Sequence, residues 1–441
     1  MPEDIKVTRR TSKEINRVDG DLYIDDATVK AGRPGGVIEV SGMTEYRNDC
    51  FIESGLETDR LRGSGGDIVV DGDLTAKNSI RIRHGELEVR GDLETIKLDV
   101  DRRVKVSGNM KTDLARVGGS LRVKGDTKAA RVDVGGSFKV DSDADVGEID
   151  VGGSVKVEGS TKSGLINVGG TFKGYGPVEA EKIDVGGSVK LEDKADVEEI
   201  DVGGSVKVVR GRTGDVKVGG SFKAREPINF STIKVGGSVK IAGGIGGHVD
   251  VGGSFKSDGD LTFQTIDVGG TVKIDGSGKG GNIDVGGTVR VRGDLDLQDE
   301  LKVGGKADIG GVLKARVVRV GGRVEGEKIE AQDLIKTNTL RTRLGAKAGE
   351  IDIGRRGEAE GPLIAGRVLV RERARVEDVY ADTVYLRRGS RAVNIYARKV
   401  TVENRCIITG QVKFTEEVNI DRDARLSYEP EKVESLPEPP F

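Results

Sequence analysis

Residues 149–165 read IDVGGSVKVEGSTKSGL, and residues 166–174 begin the same line again as INVGGTFKG. Ile149, Val151, Gly153, Val155 and Val157 alternate with Asp150, Gly152, Ser154 and Lys156, the period of two expected of a strand with one face buried and one in water. The Val-Gly-Gly triplet recurs thirteen times, from Val117 to Val320, at intervals of 16 to 18 residues. A helical repeat needs two helices and a turn, usually about 33 residues or more. The interval here holds only two or three short strands with their turns, which is one coil of a β-solenoid. One period on, the inward positions fall on Ile166, Val168, Gly170 and Phe172. The column through Val155 runs Leu121, Phe138, Val155, Phe172, Val189, Val206, Phe222, Val239, Phe255, Val272, Val289. Every member is apolar, so the column is expected to be buried. The fold class is therefore all-β, a single-stranded parallel β-helix of about 17 residues per coil.

The Gly pair needs its own reading. With 68 glycines the composition alone could suggest disorder, but only nine prolines and a strict period argue against it. A Gly pair at a fixed place in each coil marks either a bend that needs positive φ or a crowded turn. A phosphate-cradling loop would require a strand, one Gly-rich loop and then a helix whose N-terminus faces the anion. No GxxxxGK[ST] occurs, and no helical pattern follows any triplet. The pair is thus read as structural.

Composition points the same way. Aromatic residues make up 4% of the chain and there is no Trp, which suits a narrow core filled by Val, Ile and Leu. Coils stacked ~4.8 Å apart, roughly 22 to 25 of them, predict a rod on the order of 100–120 Å long. The expected organisation is a disordered arm over residues 1–17, a continuous rod over 18–426 and a disordered Pro/Glu-rich tail over 427–441. Within the rod a strict block spans 116–324, with divergent coils on either side. The net charge of −3, from 71 Lys+Arg against 74 Asp+Glu, speaks against nucleic acid as a partner. No apolar run is long enough for a membrane-spanning helix. The start, MPEDIKVTRRTSKEI, has neither a signal-peptide core nor a Gly at position two. Cys50 and Cys406 are too few to staple a secreted fold. A cytoplasmic location is expected, with a membrane surface as one place to dock.

Beyond the strict block the wording changes. Residues 376–412 read VEDVYADTVYLRRGSRAVNIYARKVTVENRCIITGQV, in which Val384, Leu386, Val393, Ile395, Val400 and Val402 still alternate with polar residues. This stretch, with the short coils and GG or DG turns before it, resembles the bactofilins. The likeness covers most of the chain in architecture and about 40 residues in wording. It implies a right-handed β-helix with disordered tails that forms filaments without nucleotide, through stacked rod ends and at a membrane surface. It implies no catalytic residue and no cofactor.

Outward positions carry the remaining candidates. The residue after the apolar column reads Arg122, Lys139, Lys156, Lys173, Lys190, Lys207, Lys223, Lys240, Lys256, Lys273, Arg290, cations without a gap. Like charges ~5 Å apart repel even in water. One reading is a solvated face that blocks lateral aggregation and pairs with acidic turns. The other is a docking stripe for an anionic membrane or an acidic partner protein. The Ser/Thr column beside it, from Ser120 to Thr288, is expected to hydrogen-bond along the rod; an ice- or mineral-binding array would want a flatter, less charged face. Enzymatic use finds no support. Sugar-cleaving β-helices need an aromatic-lined cleft with paired carboxylates on long loops. Acyltransferase coils need a hexad and a catalytic His, whereas the spacing 149, 151, 155, 157 breaks the hexad. His84 and His248 lie in unrelated coils and are read as surface turn residues, which leaves no zinc or His-based site. Calcium-binding GGxGxDx repeats are absent. No small-molecule substrate, metal or cofactor is expected.

A solenoid also has two open ends, whose unpaired strand edges invite another molecule unless capped. No amphipathic helix is legible at either end. The self-association contacts are accordingly placed on Leu22, Tyr23 and Ile24 at one end and on Val412, Phe414, Val418 and Ile420 at the other. The functional expectation is a self-assembling scaffold. The alternative is a monomeric module that binds through the cation column.

Overall fold

The computed structural model describes residues 3–8 and 10–440. Strands make up every regular element among the described residues, and no helix occurs. The chain divides into two units, Met1–Lys223 and Ala224–Phe441. Each is a parallel β-solenoid, and together they contain about 25 turns of about 17 residues.

The repeat stretch shows how a coil is made. Ala144–Val151 pairs in parallel with Thr127–Val134 on one side and Thr161–Val168 on the other. Ser154–Val157 does the same between Ser137–Val140 and Thr171–Gly174. Inward residues fall at Ala144 and Val146, then Ile149 and Val151, then Val155 and Val157, all buried. Alternation skips a beat at Gly147 and Glu148, two outward residues in succession. A period-two strand changes face only where such a beat is skipped, so the skip is a corner, and the coil has three sides.

The second corner is the Gly pair, and it explains the triplet. A Cβ built on Gly152 would stand 2.5 Å from the carbonyl oxygen of Gly135, one coil back, and a Cβ on Gly136 equally close to that of Gly119. Both glycines of the pair bond coil to coil, Gly152 N–H to Val134 O at 3.0 Å and Gly153 N–H to Gly136 O at 2.9 Å. None of the paired glycines has positive φ. The crowded-turn reading is therefore the correct one. Stacked corners bring backbone so close to backbone that no side chain fits between. Divergent coils solve this corner differently. In the first unit Arg10, Asp26, Asn48, Gly65 and His84 adopt left-handed backbone, and in the second Arg356, Arg373, Gly389 and Arg405 do.

The apolar column stacks as the sequence predicts. In the first unit Leu121, Phe138, Val155, Phe172, Val189 and Val206 are successive partners; in the second, Val239, Phe255, Val272 and Val289 are, followed by Ala307. Phe138, Phe172, Phe222 and Phe255 are among the largest fully buried side chains. Where an aromatic ring is too large for its layer, a glycine one coil away makes room. Tyr46 lies against Gly63, Phe230 against Gly246 and Phe263 against Gly280, and in each case a Cβ would collide with the ring.

Three expectations need correction. Among the described residues of the expected arm over 1–17, Ile5–Thr8 pairs with Leu22–Asp25, Ser12–Glu14 with Thr28–Lys30, and Arg17–Val18 with Val37–Val40. Short strands of mixed charge hide the alternation there. The tail carries one more strand, Glu431–Lys432, paired with Lys413 and Phe414, and Val433 N–H bonds Phe414 O at 2.9 Å. Its Pro-rich wording masks that pairing. His248 lies within Gly244–Val251, not in a turn, with Nδ1 2.7 Å from Thr265 Oγ1. Met1, Pro2, Arg9 and Phe441, which fall in the expected arm and tail, lie outside the described residues.

Candidate functional site

Strand alternation sends every second residue of Ser154–Val157 outward, so Lys156 and its equivalents form one stripe. In the first unit Arg122, Lys139, Lys156, Lys173, Lys190 and Lys207 are register partners in that order. In the second, Lys240, Lys256, Lys273 and Arg290 are. The stripe begins one coil earlier than the repeat wording shows, at Lys105, and ends on Asp308.

Its charge is largely answered from the next inward-outward pair along the same strand. Lys139 lies 2.7 Å from Asp141, Lys156 2.7 Å from Glu158, and Lys273 2.9 Å from Asp275. Lys190 pairs with Glu192. Other pairs bridge coils: Arg122 to Asp141 at 2.9 Å, Lys240 to Asp258 at 2.9 Å, Lys256 to Asp275 at 3.2 Å, and Arg290 to Asp308 at 3.2 Å. An acidic column two residues further on thus laces the cations together. The signal was available in the sequence, since Asp141, Glu158, Glu192, Asp258 and Asp275 all stand two positions after a column lysine. Lys256, donating to Asp258, holds that carboxyl below its ordinary value, helped by Lys240. Lys273 does the same for Asp275. Three column lysines, Lys173, Lys207 and Lys223, have no ion-pair partner among the described residues. At each of them the position two further on is uncharged or basic: Tyr175, Val209 and Arg225. Lys156 also sits 4.9 Å above the Tyr175 ring.

The Ser/Thr column stands in register, Ser137, Ser154, Thr171, Ser188 and Ser205. Its hydroxyls make no hydrogen bond to one another among the described residues. Their backbone does the bonding, as in Ser154 N–H to Gly136 O at 3.2 Å.

The ends differ from each other. Leu22, Tyr23 and Ile24 do not lie on an edge: they sit between Ile5–Thr8 and Met43–Arg47, with Leu22 and Ile24 fully buried. The N-terminal edge is instead Ile5–Thr8 with Ser12–Glu14 and Arg17–Val18, each paired on one side only. Of its apolar residues Val7, Ile15 and Val18 are nevertheless buried, and Ile5 is half-buried. At the other end the strand Val412–Ile420 pairs with Asn394–Val402, and only Lys413 and Phe414 have a strand beyond them. Val412 is buried. Phe414, Val418 and Ile420 are half-buried, although Val400 and Val402, one coil earlier, are 1% and 2% exposed. Leu426 and Val433, on the other two sides of this last coil, are half-buried too. The C-terminal edge is therefore an open core end.

No group of three or more His, Cys, Asp or Glu suited to a metal ion occurs among the described residues. Cys50 and Cys406 are both free and buried. No helix is long and apolar enough to cross a membrane. No family model, curated protein or solved structure matches this chain.

Proposed function

We propose that the chain is a structural, non-catalytic scaffold protein whose copies associate through the terminal edges of the solenoid, as the likeness to bactofilins implies. One observation supports this most: Phe414, Val418 and Ile420 are half-open where their equivalents one coil earlier are sealed. An unpaired strand edge beside an open apolar layer is the geometry that recruits another chain. A filament of such copies needs no nucleotide, because the contact is the same backbone pairing and apolar stacking that joins consecutive coils. The cation column serves a different end in this reading. Its pairing with Asp141, Glu158, Asp258 and Asp275 leaves it a charged, self-compensated face that discourages sideways association. Sedimentation velocity tests the proposal. The native chain is expected to sediment as concentration-dependent species larger than one copy, and Phe414→Arg or Ile420→Arg to return it to single copies with an unchanged circular dichroism spectrum. Single copies of the native chain at every concentration would defeat the reading.

A further inference from the structure

The second unit carries another cationic feature, at a corner rather than on a face. Residues 354–358 read GRRGE, 371–375 RERAR, 387–391 RRGSR and 403–407 ENRCI. Strands on either side hold these four segments in register, Ile353, Val370, Leu386 and Val402 before them and Glu358, Arg375, Arg391 and Ile407 at their ends. The segments therefore stack coil on coil, over roughly 14 Å at ~4.8 Å per coil. They hold nine arginines, no lysine and three carboxylates, a local excess that the whole chain's charge of −3 conceals.

Few of these arginines are answered. Arg371 is held by Asp352 at 2.7 Å and Arg387 by Glu403 at 2.5 Å. The other seven are exposed and have no ion-pair partner among the described residues. Of the three carboxylates, Glu358 lies 4.0 Å from Arg341 and Glu403 also accepts the Arg388 N–H at 2.9 Å, which leaves Glu372. Glu377, which borders the patch, accepts the Gly361 N–H through Oε2 at 2.7 Å. One coil further on the excess ends, since residues 421–425 read DRDAR. Three of the exposed arginines, Arg356, Arg373 and Arg405, stand at left-handed backbone with φ of 58°, 60° and 59°, a place that Gly389 fills in the remaining coil. That conformation is unfavourable for a long side chain, and its use by arginine points to a task for the guanidinium.

The chemistry of the patch selects its ligand. An arginine offers five N–H donors and no acceptor. Backbone N–H groups at the corner are already taken, Arg356 by Glu372 O at 2.9 Å, Arg373 by Arg388 O at 3.1 Å and Gly389 by Asn404 O at 3.0 Å. An acidic polypeptide brings an N–H per residue that needs an acceptor, and the patch has little besides Glu372 to give it. A phosphodiester chain brings acceptors only, and guanidinium forks fit phosphate bidentately. Tyr385, half-buried, faces outward two residues before Arg387, with the Arg367 guanidinium 5.1 Å from its ring centre. An aromatic ring beside a cationic row is the combination that holds unpaired bases. We infer that this corner binds single-stranded nucleic acid, its phosphates on the exposed arginines and a base on Tyr385. The site does not depend on self-association.

Fluorescence anisotropy of a labelled oligothymidylate with the full chain tests this. Binding is expected, and it weakens as salt rises. Arg373→Gly, Arg388→Ser and Arg391→Ser, made together, remove three phosphate contacts. At about 0.7 per contact on a single strand, the slope of log affinity against log salt should fall by about 2. Lys173→Ser, Lys207→Ser and Lys223→Ser, made together, remove the same charge from the unanswered lysines of the column and are expected to leave the affinity unchanged. Tyr385→Leu is expected to weaken binding about tenfold. Circular dichroism spectra are expected to stay native in all three variants. No binding at low salt, or equal losses from the two triple variants, would overturn the inference, as would tighter binding of a duplex than of the single strand. Capture of phosphatidylserine vesicles or of polyglutamate in place of the oligonucleotide would also overturn it, and would assign the arginines to a membrane or to an acidic partner protein.

Discussion

At the residue scale the chain is governed by close approach of backbone. The Gly pair was legible as an obligation, but its cause was not: sequence allows either positive φ or crowding, and only the 2.5 Å approach to Gly135 O selects crowding. Gly152→Ala is expected to destabilise by about 1–3 kcal/mol, the range for forcing extra atoms into a packed layer. Gly164→Ala should cost less, because its Cβ would stand 3.1 Å from Gly147 O. Urea midpoints of the two variants check the order, and equal losses would deny the role of crowding. A second residue-level prediction runs the other way. Thr161 lies inward between Ala144 and Val178, and its hydroxyl is buried with no hydrogen-bond partner. Replacing an unsatisfied buried hydroxyl with a methyl of similar shape removes a desolvation penalty of about 1–3 kcal/mol. Thr161→Val should therefore raise the urea midpoint. The glycines opposite Tyr46, Phe230 and Phe263 were beyond sequence reading, because the match lies one coil away between residues of no shared pattern.

At the element scale the outward columns are the part that sequence half revealed. Eleven cations in a row invite a docking hypothesis, and the acidic residues two positions on, which answer most of them, become visible only when strand alternation is taken as fact. The linkage is specific in sign. Asp258 and Asp275 titrate below their ordinary value because Lys256 and Lys273 donate to them. A carboxylate with a depressed folded-state value contributes stability that is present above its unfolded value of about 3.9 and disappears as pH falls through the folded value. Melting temperature should thus fall on acidification below about pH 4. A Lys256→Ser, Lys273→Ser variant should lose less than the native chain over that step, and an identical acid dependence would refute the pairing. The same variant at neutral pH should assemble as the native chain does, since neither lysine touches an edge. Apolar columns are the sterner determinant: Phe172→Ala removes a fully buried ring from the Val155–Val189 column and is expected to cost about 3–5 kcal/mol.

At the scale of the whole molecule the period of 17 made the fold readable almost in full, because a repeat announces its register every time it recurs. The ends were the least readable part for the same reason: they are where the repeat stops. Ile5–Thr8 and Glu431–Lys432 are strands of only 4 and 2 residues, too short for alternation to stand out, so the expected edge was placed one coil too far in at Leu22. What separates the two ends physically is closure. Val7, Ile15 and Val18 are buried and only Ile5 is half-buried at one edge, whereas Phe414, Val418, Ile420, Leu426 and Val433 all stay half-open at the other. The central claim is that this open coil is completed by another copy. Negative-stain electron microscopy of the purified chain without nucleotide, at low and at high salt, tests it most directly. The account predicts filaments at both salts, because the contact is apolar stacking and backbone pairing, and none with Ile420→Arg. Single unassembled particles of the native chain under both conditions would contradict it.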